Sequence, residues 1–338
     1  MKKTLIALAT LAAVSGTAFA QSSVSLTGGI AYGYQATTTT AAAVDAVAAV
    51  AGNAGTAAVA AKNNEKLSGF GMDTAAIKLT VTEDLGGGLK ATGVITAAGM
   101  ARGNAVTGED MSLTVAGGFG SVLVGQIEIG SGIRGLAQAG APVNNMEGEV
   151  LAAASAGTDI VKYSAPAING ITFSGSLTEN KGIATGLEAG ATNVGASAYT
   201  VGAAYANGPL NVSIDTTNWN SEAATGKADS RYRLSANYNL GVATVGAGME
   251  NQKLVGGATN KYSMIGVSAP FGAVTVGAAF VKNDTSATAG TKTGSTFGAS
   301  YALSKRTSLN AHYATWEAAE ANGAAKNKKT TLLLAHSF

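Results

Sequence analysis

Cysteine is absent from the 338 residues, proline occurs only 4 times, histidine only 2 times, and charged residues make up 12%. Without cysteine there is neither a disulfide framework nor a thiolate metal centre, and His312 with His336 makes no metal-ligand cluster. No metal or other cofactor is implied. So few prolines beside 46 glycines exclude collagen and argue against Pro-rich disorder. Glycine recurs through the periodic segments, and at about 1 kcal/mol per helix-interior site it disfavours a large helical core. Charge is also balanced. Setting Lys2 and Lys3 aside, for the reason given next, the remaining basic residues equal the acidic ones in number. A nucleic-acid partner has no basic surface to bind.

The opening "MKKTLIALATLAAVSGTAFA" places Lys2 and Lys3 before an apolar core from Leu5 to Val14 and ends in the small-residue pattern Ala18-Phe19-Ala20. This is the layout of a secretory signal peptide, with cleavage expected between Ala20 and Gln21 and a single domain over 21–338. A membrane anchor is the alternative, but the apolar core is shorter than the roughly 20 residues a spanning helix needs. Beyond it no apolar run reaches that length either, although mean hydropathy is +0.20. Hydrophobicity is diluted along the chain.

It is diluted with a period of two. In "SVSLTGGIAYGY" Val24, Leu26, Ile30, Tyr32 and Tyr34 share a face opposite Ser23, Ser25 and Thr27. The same alternation sets Ile77, Leu79 and Val81 against Lys78, Thr80 and Thr82. It sets Ile171, Phe173 and Leu177 against Thr172, Ser174 and Ser176, and Tyr232, Leu234 and Tyr238 against Arg231, Arg233 and Asn237. Each segment reads as a strand with one apolar face. Short connections at 83–88, 117–120, 165–170, 207–209, 240–241, 270–272 and 303–306 alternate with long ones near 36–66, 102–108, 128–157, 180–192, 220–229, 251–260, 284–292 and 317–327.

Sixteen strands result, at about 20 residues per strand with its connection, which suits an all-β, antiparallel transmembrane barrel. A soluble sandwich also alternates, but it gathers its larger apolar residues into one core, whereas here nearly every segment carries one thin stripe. A closed barrel needs that stripe outside and pairs every backbone group that hydrocarbon cannot solvate. The ending "TTLLLAHSF" fits: Leu332, Leu334, His336 and Phe338 share a face, and the last strand must meet the first.

Strand parity places Lys78, Lys90, Lys162, Arg231, Arg233, Asp215, Glu250 and His312 inside, where a sixteen-stranded barrel leaves a lumen too wide for side chains to fill. Such a lumen supports passive diffusion of small hydrophilic solutes and ions, with selectivity set by charge at a constriction. The candidate constriction is segment 128–157, carrying Glu128, Arg134, Glu147 and Glu149. Folded inward, its carboxylates are expected to face Lys78, Lys162 and Arg233. The alternatives are an external loop with solvated charges and wall residues that merely fill the lumen.

Other motifs weigh less. "GSGIRG" at 130–135 has G-x-G-x-x-G spacing, but Gly135, Gly140 and Pro142 break the helix a dinucleotide site requires. Ser308 with His312 could be assembled into a hydrolase, though nothing marks that serine as activated. The Ala/Thr-rich stretch 37–61 reads as a surface loop, with a helix possible in its alanine-rich part, and its apolar character leaves a non-conducting adhesive or structural barrel as the other reading. Outward Leu89, Ala91, Gly93, Ile95 and Ala97 are small enough for barrels to pack together, or simply face lipid.

"GGFGSVLVGQIE", "DIVKYSAPAINGITFSGSL" and the ending "AHSF" resemble strands and the terminus of Gram-negative general porins, in particular the beta-proteobacterial type. The resemblance covers nearly the whole of 21–338. It implies an outer-membrane homotrimer surrounded by lipid, with short periplasmic turns, long extracellular loops and a third loop folded into the channel. Phe338 is similar to the carboxy-terminal assembly signal of such barrels. The chain departs from the family in its arginines, which are only Arg102, Arg134, Arg231, Arg233 and Arg306, and in its long first loop.

Overall fold

The alternation of apolar and polar residues resolves into strands whose large side chains point away from a common axis. In the computed structural model, residues 22–41, 62–100, 105–152, 155–179, 197–220, 228–285, 290–320 and 323–338 are described. The expected signal peptide, and positions 42–61 of the Ala/Thr-rich stretch, lie outside the described residues. The strands are β1 (Ser23–Ala41), β2 (Lys62–Gly86), β3 (Leu89–Ala98), β4 (Thr107–Gly117), β5 (Gly120–Ile129), β6 (Ser155–Ser164), β7 (Ile171–Glu179) and β8 (Ser197–Asn207). They continue with β9 (Leu210–Asn220), β10 (Ala228–Asn239), β11 (Thr244–Leu254), β12 (Thr259–Phe271), β13 (Val274–Thr285), β14 (Gly290–Ala302), β15 (Thr307–Glu320) and β16 (Gly323–Ser337).

Every strand pairs antiparallel with its chain neighbours, and β16 pairs with β1 to close the barrel. Closure continues one residue past β16. The Phe338 N–H donates to Gly28 O at 3.1 Å, and the Gly28 N–H donates to Phe338 O at 3.0 Å. A Cβ at position 28 would meet Phe338 Cζ at 2.5 Å and Ala76 O at 2.6 Å, so the terminal ring lies over the bare backbone of Gly28.

Side-chain exposure follows the two-residue period. Phe173 and Leu177 are 56% and 61% exposed on the outside, while Thr172, Ser174 and Ser176 line the interior. Three expected long connections differ, and at 284–292 pairing runs to Thr285 and resumes at Gly290. At 251–260 the strands run on to Leu254 and restart at Thr259, closed by hydrogen bonds from Leu254 N to Ala258 O and from Gly257 N to Leu254 O. At 317–327 pairing extends to Glu320 and Gly323. Polar residues there belong to hairpin ends, because backbone pairing does not stop where the apolar stripe stops.

The segment between β5 and β6 behaves otherwise. It is residues 130–154 rather than 128–157, since the flanking strands claim both ends. It contains one helical turn, α1 (Arg134–Ala137), and no long helix behind "GSGIRG". Ile133, Ala137, Ala141, Val143, Met146, Val150 and Leu151 of this segment are buried with Met264, Ala279, Val281 and Ala314 from the inner faces of β12, β13 and β15. The cluster lies inside the barrel.

Candidate functional site

The infolded segment stays on the wall for identifiable reasons. β12 and β13 are apolar on both faces: Ile265 is 64% exposed outside while Met264 is 1% exposed inside, and Phe280 is 49% exposed while Val281 is fully covered. Bare backbone beneath the segment allows close approach. A Cβ at Gly266 would meet Ala137 O at 2.5 Å, one at Gly277 would meet Ala141 Cβ at 2.5 Å, and one at Gly298 would strike Pro142 O.

Polar tethers fix the register. The Asn144 N–H donates to Thr296 Oγ1 at 3.1 Å, Asn283 Nδ2 donates to Val150 O at 3.1 Å, and Lys329 on β16 lies 3.5 Å from Glu149. Within the segment Glu147 accepts from Ser131 N at 2.8 Å and from Asn145 Nδ2 at 3.3 Å, and faces Arg134 Nε at 3.3 Å.

With β11–β15 covered, open space remains on the opposite side. A cavity of about 730 Å³ is lined by Gly130, Ser131 and Gly132 of the segment and by wall residues of β6–β11, including Lys162, Asp215, Trp219, Arg231, Arg233 and Glu250. Strand register builds that wall in rows. Lys162, Ser176, Thr200, Thr217, Arg231 and Gln252 are successive cross-strand neighbours from β6 to β11. Thr200 Oγ1 lies 2.8 Å from Thr217 Oγ1, which also accepts from Arg231 Nη2 at 3.1 Å. The Arg231 guanidinium sits 5.1 Å over the Trp219 ring.

The adjacent row places Arg233 between Asp215 and Glu250. Arg233 Nε donates to both Asp215 oxygens at 3.0 Å, with side chains only 15% and 16% exposed. Glu250 is 6% exposed. The Arg233 guanidinium occupies the space where a side chain at position 132 would begin, so the wall touches the infolded segment here.

Of the residues singled out in the sequence, Lys162, Arg231, Arg233, Asp215, Glu250 and Glu128 thus meet around one cavity. Lys78 lies on β2 opposite Thr27 and Thr96, Lys90 opposite Asp84 near a short turn, and His312 on β15 between Gly298 and Thr331. None of these three lines it. Glu147 and Glu149 face Arg134 and Lys329 instead of Lys78, Lys162 or Arg233, and Glu128 belongs to β5, where its N–H donates to Asp110 Oδ1 at 2.8 Å. Ser308 Oγ accepts from Asn310 Nδ2 at 3.0 Å. Trp219, Thr217 and Lys329 were not singled out in the sequence, yet they help shape the passage or hold the segment. The apolar inner faces of β12 and β13 were the available signal.

A family profile described as "Gram-negative porin" matches residues 7–320. The chain belongs to the Gram-negative porin family. It is an outer-membrane channel for passive diffusion, and its relatives are channels rather than enzymes. The porin is 31% identical over 306 residues to outer membrane porin protein 32 of Delftia acidovorans, covering 81% of this chain and 77% of that relative. The anion-selective porin from Comamonas acidovorans superposes with a TM-score of 0.67 at 20% identity, covering 94% of this chain and all of that one. A loop L8 deletion mutant of OmpT, an outer membrane protein of Vibrio cholerae, superposes at 0.59 and 13%, covering 94% of this chain and 99% of that one. At those identities the two superpositions speak to fold.

Proposed function

We propose that this porin is a general, weakly selective channel for small hydrophilic solutes and ions, with its narrowest passage beside the contact of Gly132 with Arg233, through the cavity that Gly130–Gly132 share with the β6–β11 wall. The observation that supports weak selectivity is pairing. Arg233 is neutralised by Asp215 with Glu250 alongside, Arg134 by Glu147, and Lys329 by Glu149. Opposed fixed charges focus a field across a pore only while they remain unscreened by near partners. Here the partners are adjacent, so the anion selectivity of the Comamonas protein is not expected of this channel. Diffusion through the passage requires no reaction chemistry. Small outward residues Ala91, Gly93 and Ala97 on β3 suit close packing in a homotrimer.

Reversal potentials in a KCl gradient test this. Wild type is expected to show an anion-to-cation permeability ratio within about threefold of unity. Arg231→Gln with Arg233→Gln, which leaves Asp215 and Glu250 unopposed, shifts it toward cations by about fivefold or more. Asp215→Asn shifts it toward anions. A wild-type channel with strong anion preference would overturn the weak-selectivity reading, and potentials indifferent to both changes would remove this cluster from the mechanism.

A further inference from the structure

Two opposite charges on the lumen wall are left without ionic partners. Arg231 and Arg233 both lean toward β9: the Arg231 guanidinium lies over Trp219 and donates to Thr217, and Arg233 Nε donates to both oxygens of Asp215. Glu250, across from Arg233 on β11, is thereby deserted. Its neighbour on the other side, Tyr262 on β12, packs against the infolded segment. Among the described residues no hydrogen bond or ion pair reaches the Glu250 carboxylate, although the residue is only 6% exposed. Arg231 has no carboxylate within ion-pair distance among them either, and its Nε is buried without an acceptor. A buried charge that lacks a partner is costly, so each group favours a ligand group of opposite sign.

Both residues line the same cavity, and their spacing selects what could satisfy them together. Thr217, which holds the Arg231 guanidinium, stands two strands and one inward row from Glu250, so about 12 Å separates the two backbones. A simple anion drawn to Arg231 leaves Glu250 unmatched, and a simple cation leaves Arg231 unmatched. One free amino acid is too short to reach both. An extended dipeptide spans about 7 Å, and a hydrogen bond of about 3 Å at each end closes the distance. Between the two ends lies the mutually neutralised Asp215–Arg233 pair, and the hydroxyls of Ser174, Thr200 and Ser213 on the same wall offer donors and acceptors to a peptide amide.

We propose that Glu250 and Arg231 form a transient seat in the lumen for free peptides of dipeptide length, with the ammonium at Glu250 and the carboxylate at Arg231. The seat rests on the passage proposed above, because the peptide must enter that cavity, and it adds a ligand class to a channel that is otherwise unselective.

The test records single-channel current in planar bilayers, in KCl and at both polarities, with millimolar diglycine, glycine, N-acetyl-diglycine or diglycine amide. Wild type is expected to show saturable current interruptions with diglycine at concentrations about tenfold below those the other three require, since each lost charge-assisted contact weakens binding about tenfold. Glu250→Gln should erase the advantage of diglycine over N-acetyl-diglycine and keep its advantage over the amide, and Arg231→Gln should do the reverse. Variants that weaken all four solutes alike would reveal a structural effect and overturn the seat. So would wild-type channels that respond equally to diglycine and to glycine or the blocked peptides, a comparison that needs no variant. Reversal potentials in KCl alone, from the same membranes, test the weak-selectivity reading separately, so failure of the seat and failure of that reading give different results.

Discussion

Removing Phe338 is expected to lower the amount of folded barrel in the outer membrane about tenfold or more, with Phe338→Ala intermediate and Phe338→Tyr near wild type. Two effects combine. The deletion removes the reciprocal hydrogen bonds between Phe338 and Gly28 that finish the β16–β1 seam. Backbone groups left open at a lipid-facing edge cost several kcal/mol each, because nothing there replaces the lost partner. Phe338→Ala keeps the backbone pair and uncovers only Gly28, a loss of about 2 kcal/mol of ring burial. The reciprocal change gives an independent arm. Gly28→Trp fills the space of the terminal ring and approaches Ala76 O, so it should resemble the deletion although residue 338 is intact. Heat-modifiable migration and protease resistance in isolated outer membranes measure the folded fraction. If the deletion assembles as well as wild type, the terminal pair contributes nothing to closure.

The seam illustrates what could be read in advance. A barrel in lipid has one chemical rule, apolar outside, and the strand has a fixed period of two, so stripes such as Phe173 and Leu177 or Tyr232 and Leu234 declare both the element and its facing. The inward set followed by parity. Chain length per strand then limited the architecture to one closed sheet. Where strands end was less legible, because pairing persists beyond the stripe: β2 runs to Lys62 and β11 turns directly into β12. Backbone hydrogen bonding is indifferent to side-chain polarity in water, so polar residues at hairpin ends looked like loops.

Side-chain partners inside the lumen were not legible. Parity states that Arg233 and Asp215 face inward but not that adjacent strands bring them into register, which depends on where each strand starts to pair. Glu149 finds Lys329 across the whole chain, and no local pattern announces that. Glu147 turns back on Arg134, its neighbour in the same segment. One clue lies in the sequence. "MIGVSAPF" and "VTVGAAFV" are apolar on both faces, which a water-filled lumen forbids unless something covers the inner one.

That cover supplies the second large expected effect. Excising residues 134–150 should raise single-channel conductance at least about twofold, because it removes the body that narrows the lumen between β6 and β15. Ile133, Met146, Val150 and Leu151 are between 0% and 3% exposed, and burial of such side chains is worth about 1.5–3 kcal/mol each. A segment held that firmly is expected to stay in place during conduction, so the open channel is the one that contains it. Excision exposes Met264 and Val281 to water, and Met264→Gln with Val281→Thr makes the wall wettable and separates loss of the segment from loss of folding. Gly298→Leu offers a point test, since its side chain must displace Pro142 and with it the middle of the segment. It should change conductance and open-channel noise while leaving the folded fraction intact. A porin that conducts as wild type after excision has its size filter elsewhere, and the passage beside Gly132 would then be no constriction.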